Sequence, residues 1–184
     1  MKLSEQASLE EVTFPVRVER PEILDATDPR SLRRNQRGYP MAYTTWVDEN
    51  GVEDPCLNEW RRIAFACRYR LCGICGEPLP PGELLCFVGD AEQMRNGLFY
   101  DPAMHPNCAR FAFVKCPFLA NRAWKPMGSR VSRRVRPECM YIYWTNDFKR
   151  QWLRPLFRRG EYRWLRVIKA GEAVRIERRT DRLN

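Results

Sequence analysis

The chain has 184 residues, 44% of them hydrophobic, enough for one cored domain with appendages, and no apolar run approaches the roughly 18 residues of a membrane span. The net charge of +9 is unevenly placed: residues 1–120 carry 14 Lys+Arg against 17 Asp+Glu, and residues 121–184 carry 18 against 6. Such asymmetry points to an anionic partner, nucleic acid first, with a solvated basic face as the bland alternative. Eight cysteines fit disulfides or metal-bound thiols. With no basic-then-apolar leader at Met1, reduced thiols in a cytoplasmic setting are expected.

Residues 1–36 are polar and broken by Pro15, Pro21 and Pro29, which predicts an extended or partly disordered arm, with Val12 to Val18 as an edge strand at most. Arg30, Arg33, Arg34 and Arg37 cluster there, suited to phosphate or to a solvated arm alike. Ala42 to Val47 is aromatic and β-branched and predicts a strand, with Asp48 to Gly51 as the turn after it. Asn58 is the expected N-cap of a helix whose apolar stripe, Trp60, Ile63, Ala64, Cys67 and Leu71, packs inward; Arg61, Arg62, Arg68 and Arg70 occupy other positions.

The stretch from Leu71 to Cys116 carries the strongest chemical signal. Cys72 and Cys75 form C-x2-C, His105 and Cys108 form H-x2-C, and 29 residues separate the pairs. Two intervening residues allow both members of a pair to reach one ion, and three thiolates with one imidazole match tetrahedral zinc. Gly73 and Gly76 supply backbone freedom for a knuckle around the first pair. Leu84 to Val88 predicts a strand and Leu98 to Tyr100 its return, with Gly89 to Gly97 as a polar loop. Pro106 opens a helix that carries Cys108. Knuckle, hairpin and helix with ligands from both ends make a treble clef around one structural Zn2+. The alternative is a set of buried free thiols beside a chance histidine. Cys56, Cys67, Cys86, Cys116 and Cys139 are expected to be small buried hydrophobes, with Cys86 and Cys116 as substitute ligands.

Cys116-Pro117-Phe118-Leu119 is expected to end that helix and re-enter the core. Residues 121–136 have no clear period and contain Arg122, Trp124, Lys125, Arg130, Arg133, Arg134 and Arg136. Basic residues around a tryptophan suit phosphate contact and base stacking, or simply a solvated loop. Met140 to Thr145 is the most strand-like run, and Asp147 to Leu153 reads as a short helix. Tyr162 to Ile168 and Ala173 to Ile176 read as a hairpin bearing Arg163, Arg166, Arg175 and Arg178. The whole predicts an α+β protein: an arm (1–36), a zinc-stabilised treble-clef domain (37–120) with short hairpins and two to three helices, and a basic C-terminal extension (121–184) with a β-hairpin.

Arg37 to Pro40, Trp46 to Asp48, Cys72 to Gly76, His105 to Ala109 and Cys116 to Leu119 together resemble a family encoded by bacteriophages and bacterial genomes, which pairs RGYP, W-x-D, C-x2-C-G, H-x2-C-A and CPFL segments. The resemblance covers Arg37 to about Leu119 and implies a phage or prophage context rather than a mechanism. The spacing of the ligand pairs alone is also similar to the nick-sensing zinc fingers of poly(ADP-ribose) polymerases and DNA ligases; Met104 stands where those fingers usually carry an aromatic residue.

Catalysis is not expected. His105 is the only histidine, and a metal ligand cannot serve as a mobile base. There is no P-loop, G-x-G-x-x-G or H-E-x-x-H, and Asn107 stands where a zinc deaminase needs glutamate. The expected function is therefore nucleic-acid binding through the basic C-terminal third. The alternative is a protein-interaction module that docks on a host or phage protein. Neither reading includes a membrane or a small-molecule substrate.

Overall fold

Five consecutive buried residues, Tyr141–Thr145, form the strand around which the computed structural model is arranged. The structure describes residues 18–19, 32–35, 38, 40–116, 119, 139–152, 156–158, 161–163 and 166–178. In chain order the elements are β1 (Val18–Glu19), β2 (Arg33–Arg34), β3 (Pro40–Met41), β4 (Thr45–Val47), β5 (Glu53–Asn58), α1 (Trp60–Tyr69), β6 (Leu85–Gly89), α2 (Ala91–Asn96), β7 (Leu98–Phe99) and α3 (Pro106–Lys115). They continue with β8 (Tyr141–Thr145), β9 (Phe148–Trp152), β10 (Leu156–Arg158), β11 (Glu161–Arg163), β12 (Arg166–Ala170) and β13 (Arg175–Arg178). The fold is mixed α+β.

Strand β8 is covered on both sides, which is why its sequence is apolar without alternation. It pairs antiparallel with β6, Phe87 opposite Tyr143, and with β13, Ile176 opposite Tyr143; β1 adds to β13 in parallel. A second sheet has the order β7-β12-β9, antiparallel throughout. Three ladders, β2/β3, β4/β5 and β10/β11, stand outside these sheets. Strands from 37–120 and from 121–184 share both sheets, and one hydrophobic core spans the two segments.

Aromatic side chains join the sheets. Phe87 of β6 stacks on Phe99 of β7 at 4.5 Å between centroids and meets Phe148 of β9 edge-on at 5.9 Å; Phe99 meets Tyr143 of β8 at 5.3 Å. Phe87 and Phe99 have no exposed surface, so truncating either to alanine would cost about 3–5 kcal/mol. Helix α3 is tied to the same sheet by Arg110, whose guanidinium lies 5.4 Å from the Trp144 ring centroid.

Local sequence explains most boundaries. The N-cap of α1 is Glu59, whose side chain accepts from the Arg61 amide; Asn58, the expected cap, is the last residue of β5. The polar loop expected over Gly89 to Gly97 contains α2. Asp90 and Gln93 form a reciprocal capping box, and Gly97, at φ +64°, ends the helix in the left-handed region.

Three further expectations are corrected. Residues Asp147 to Leu153 supply β9 rather than a helix, because five residues of this segment register against β12. Strand β7 returns on β12 and not on β6, whose free edge is instead bridged at Cys86 by Met104. The expected C-terminal hairpin does not form: β12 pairs with β9 and β7, while β13 pairs with β8 and β1. The chain crosses between sheets at Gly171, whose amide donates to the Asp147 carbonyl at 2.7 Å and whose carbonyl accepts from the Tyr143 hydroxyl at 2.9 Å. Most of the arm expected over residues 1–36 lies outside the described residues. No helix among the described residues is long and apolar enough to cross a membrane.

Candidate metal centre

The first ligand pair sits on a tight turn clamped by backbone hydrogen bonds. Leu71 and Pro78 form an antiparallel bridge, the Cys72 amide donates to the Glu77 carbonyl at 2.8 Å, and the Gly76 amide donates to the Cys72 carbonyl at 2.9 Å. Gly76 holds φ +78°, and a Cβ there would lie 2.8 Å from the Tyr43 ring, so both its backbone and its surroundings require glycine. Gly73 contributes closeness rather than a left-handed turn: a Cβ there would lie 3.1 Å from Pro102. The Gly73 amide donates to the Ala103 carbonyl at 2.9 Å.

The second pair is brought to the first by β6 and α3. Cys86 and Met104 exchange both backbone hydrogen bonds, 2.8 and 2.9 Å, which places His105 one residue beyond an anchored position. His105 is the N-cap of α3, Pro106 follows in the first turn, and Cys108 lies one turn in. Behind the knuckle, the Tyr43 amide donates to Ile74 at 2.7 Å and the Thr44 amide to Gly73 at 3.3 Å.

Four donor atoms converge. The Sγ atoms of Cys72, Cys75 and Cys108 and a ring nitrogen of His105 all lie within 4.8 Å of one another. His105 Nδ1 is 3.4 Å from Cys75 Sγ and 3.9 Å from Cys108 Sγ. A tetrahedron built from ordinary zinc–sulfur and zinc–nitrogen bonds has edges of about 3.6–3.8 Å. The group therefore has the size and the donor chemistry to hold one metal ion. His105 Nε2 faces the Pro78 carbonyl at 3.0 Å. A carbonyl only accepts, so this contact assigns the proton to Nε2 and leaves the Nδ1 lone pair aimed at the sulfurs.

Cys72 is fully buried and Cys108 nearly so, while Cys75 and His105 are half-buried. Burial opposes ionisation of Cys72, yet hydrogen bonds from Cys108 and Cys75 outweigh it and hold its pKa well below the usual thiol range. Cys108 moves far upward, chiefly through its hydrogen bond to Cys72. The three thiols share their protons through these contacts, and a bound cation would displace them.

All four expected ligands are brought together. Neither substitute joins them: among the described residues the group comprises Cys72, Cys75, His105 and Cys108 alone. Cys86 is instead a fully buried core residue of β6, and its thiol is pushed well up by burial. Of the residues expected to touch nucleic acid, Arg122, Trp124, Lys125, Arg130, Arg133, Arg134 and Arg136 lie outside the described residues. Arg163 falls on β11 and Arg166 on β12. What the ligand pattern did not reveal is the backbone clamp from Tyr43, Thr44, Pro78 and Ala103, because carbonyl and amide partners leave no side-chain signature. Gly76 was the one local hint of it. No protein-family model, curated protein or solved structure matches this chain.

Proposed function

We propose that the chain is a zinc-binding protein of phage or prophage type, built on a treble-clef core and without a catalytic role, which contacts nucleic acid through its basic C-terminal third. The observation that carries the zinc assignment is the convergence of three thiols and His105 Nδ1 with the imidazole tautomer set by Pro78. Four protein ligands complete a tetrahedral shell, so the ion would be structural, and the only histidine would be committed to it. The treble-clef reading is supported by the chain order of knuckle, β6 with its bridge from Cys86 to Met104, and the ligand-bearing start of α3, although β7 pairs with β12 in place of the expected return strand.

Support for the nucleic-acid part is the charge distribution: residues 121–184 carry 18 Lys+Arg against 6 Asp+Glu. Neutralising phosphates releases counterions, so affinity for labelled DNA or RNA should fall steeply with salt. Charge reversal at Arg130, Arg133 and Arg134 should abolish that binding and leave melting unchanged. Persistent binding in this variant would remove the C-terminal residues as the contact surface. Retention of a host protein that survives nuclease treatment, with no oligonucleotide bound, would replace the reading by protein interaction.

A further inference from the structure

The outer face of α1 combines exposure and residue type in an unusual way. The expected inward stripe is only half realised: Cys67 is buried and Ile63 packs against the core, with Ala66 buried beside them although not in the stripe, but Trp60 is 52% exposed. Phe65 and Tyr69 are 49% and 54% exposed. Aromatic side chains of this size usually contribute their area to a core or an interface. Here the Phe65 and Tyr69 rings lie 4.4 Å apart, and the guanidinium groups of Arg61 and Arg68 sit 5.4 and 5.7 Å from the ring centroids of Trp60 and Tyr69.

Charge on this helix is one-sided. Residues Trp60–Tyr69 include no Asp or Glu. Arg62 turns inward and donates to the Tyr43 and Thr45 carbonyls, and Arg70 is engaged by Asp147. Arg61 and Arg68 are exposed and have no acidic partner among the described residues. The face therefore offers flat rings beside two guanidinium groups that have no ion-pair partner among the described residues, a charge match for phosphate.

We propose that this face binds single-stranded nucleic acid, with unpaired bases stacked on Phe65 and Tyr69 and phosphates held by Arg61 and Arg68. Every base has a π-face, so stacking of this kind tolerates any sequence, whereas a duplex hides those faces and offers only groove edges. Phe65 and Tyr69 are about 6 Å apart along the helix axis and on one side of it, enough for roughly two nucleotides at stacked spacing. The ligand class is shared with the proposed function, but the surface is a different one from the basic residues after Asn121.

The test uses the zinc-loaded full chain and fluorescence anisotropy with a labelled thymidine oligonucleotide of about 12 nucleotides and a duplex of equal length. Phe65→Ala/Tyr69→Ala should weaken single-strand binding at least about tenfold and leave duplex binding within about twofold. Arg61→Gln/Arg68→Gln changes only exposed charge, keeps the rings, and should also weaken it; unchanged melting of this variant guards against a folding artefact. Single-strand affinity equal to wild type in both double variants would overturn the inference, as would failure of the wild type to bind the single strand. If the charge reversal at Arg130, Arg133 and Arg134 abolishes all binding while both α1 variants bind normally, the inference fails and the proposed function stands. The opposite pattern upholds the α1 face and removes the C-terminal one. A protein ligand that survives nuclease and is lost with Phe65→Ala/Tyr69→Ala would make this a protein site and overturn the assignment.

Discussion

Arg70 Nη1 donates to Asp147 Oδ1 at 2.9 Å across 77 positions of sequence, and the same guanidinium lies 4.7 Å from the Phe148 ring centroid. Arg70 is also the C-cap of α1, at φ +50° and ψ +56°, the one non-glycine residue at positive φ among the described residues. Its backbone thus turns the chain from helix into knuckle, while its side chain ties that turn to β9. A side chain in the left-handed region costs about 1–2 kcal/mol, which the tie to Asp147 and Phe148 offsets.

The two roles of Arg70 can be separated. Arg70→Ala loses the side-chain tie and keeps the backbone cost, whereas Arg70→Gly loses the tie and relieves the cost. Urea denaturation should therefore place the glycine variant about 1 kcal/mol above the alanine variant. Asp147→Asn should cost no more than about 1 kcal/mol, because the Asp147 side chain is 61% exposed and water screens the pair. Equal stability of the glycine and alanine variants would show that the left-handed cap is not under strain.

Removal of the metal should undo more than the knuckle. The turn at Cys72, the bridge at Cys86 and Met104 and the start of α3 all meet at the ligand group, and β6 connects that group to the central sheet. Structural zinc contributes about 10–16 kcal/mol in small finger peptides, comparable to the whole stability of a domain. Cys72→Ser and Cys108→Ser should give insoluble protein or protein without near-ultraviolet circular dichroism, and a chelator should do the same to the wild type. His105→Cys preserves four donors and should retain one equivalent of zinc by elemental analysis. Wild-type protein that melts cooperatively with no bound zinc would contradict all of this.

The ligand group was legible in the sequence because its chemistry is carried by side chains at short, fixed spacings. Strand β8 was legible because burial on both faces leaves an uninterrupted apolar run, and α3 because Pro106 marks its first turn. Strand β9 was not, since Asp147 to Leu153 carries no strand period of its own and takes its form from β12. The crossing at Gly171 was equally hidden: two adjacent strand-like runs read as a hairpin unless long-range pairing separates them. Helix α2 was written in Asp90, Gln93 and Gly97, a capping signal outweighed by the polarity of the segment. The α1 face shows the converse limit, where helical spacing was right but exposure of Trp60, Phe65 and Tyr69 depends on what packs nearby.

Gly76 should be the least replaceable glycine of the knuckle. Gly76→Ala forces a Cβ into the left-handed region at φ +78° and against the Tyr43 ring at 2.8 Å. The backbone term alone is about 1–2 kcal/mol, and displacement of Tyr43 also disturbs the amide that holds Ile74. The variant should melt lower than wild type and release zinc faster to a chromogenic chelator. Combining it with Tyr43→Ala removes the clash but not the strained φ, and should restore only part of the loss.

Stability should decline on the alkaline side, and the sign follows from buried thiols and phenols. Burial pushes the Cys67 thiol up from 9.0 to about 11, opposed only in part by Arg150, and burial raises Cys86, Tyr141 and Tyr143 as well. Between those two values the unfolded chain has released the Cys67 proton while the folded chain still holds it, so the unfolded state binds fewer protons and stability falls as pH rises. The contribution is fully present below pH 9 and lost by about pH 11, roughly 3 kcal/mol from Cys67 alone. Urea midpoints measured from pH 8 to 11 should fall steadily in the wild type. Cys67→Ala should start lower, because a small buried group is lost, but decline less steeply over the same interval. An identical slope in the variant would move the effect away from Cys67, leaving Cys86 and the two tyrosines as its source.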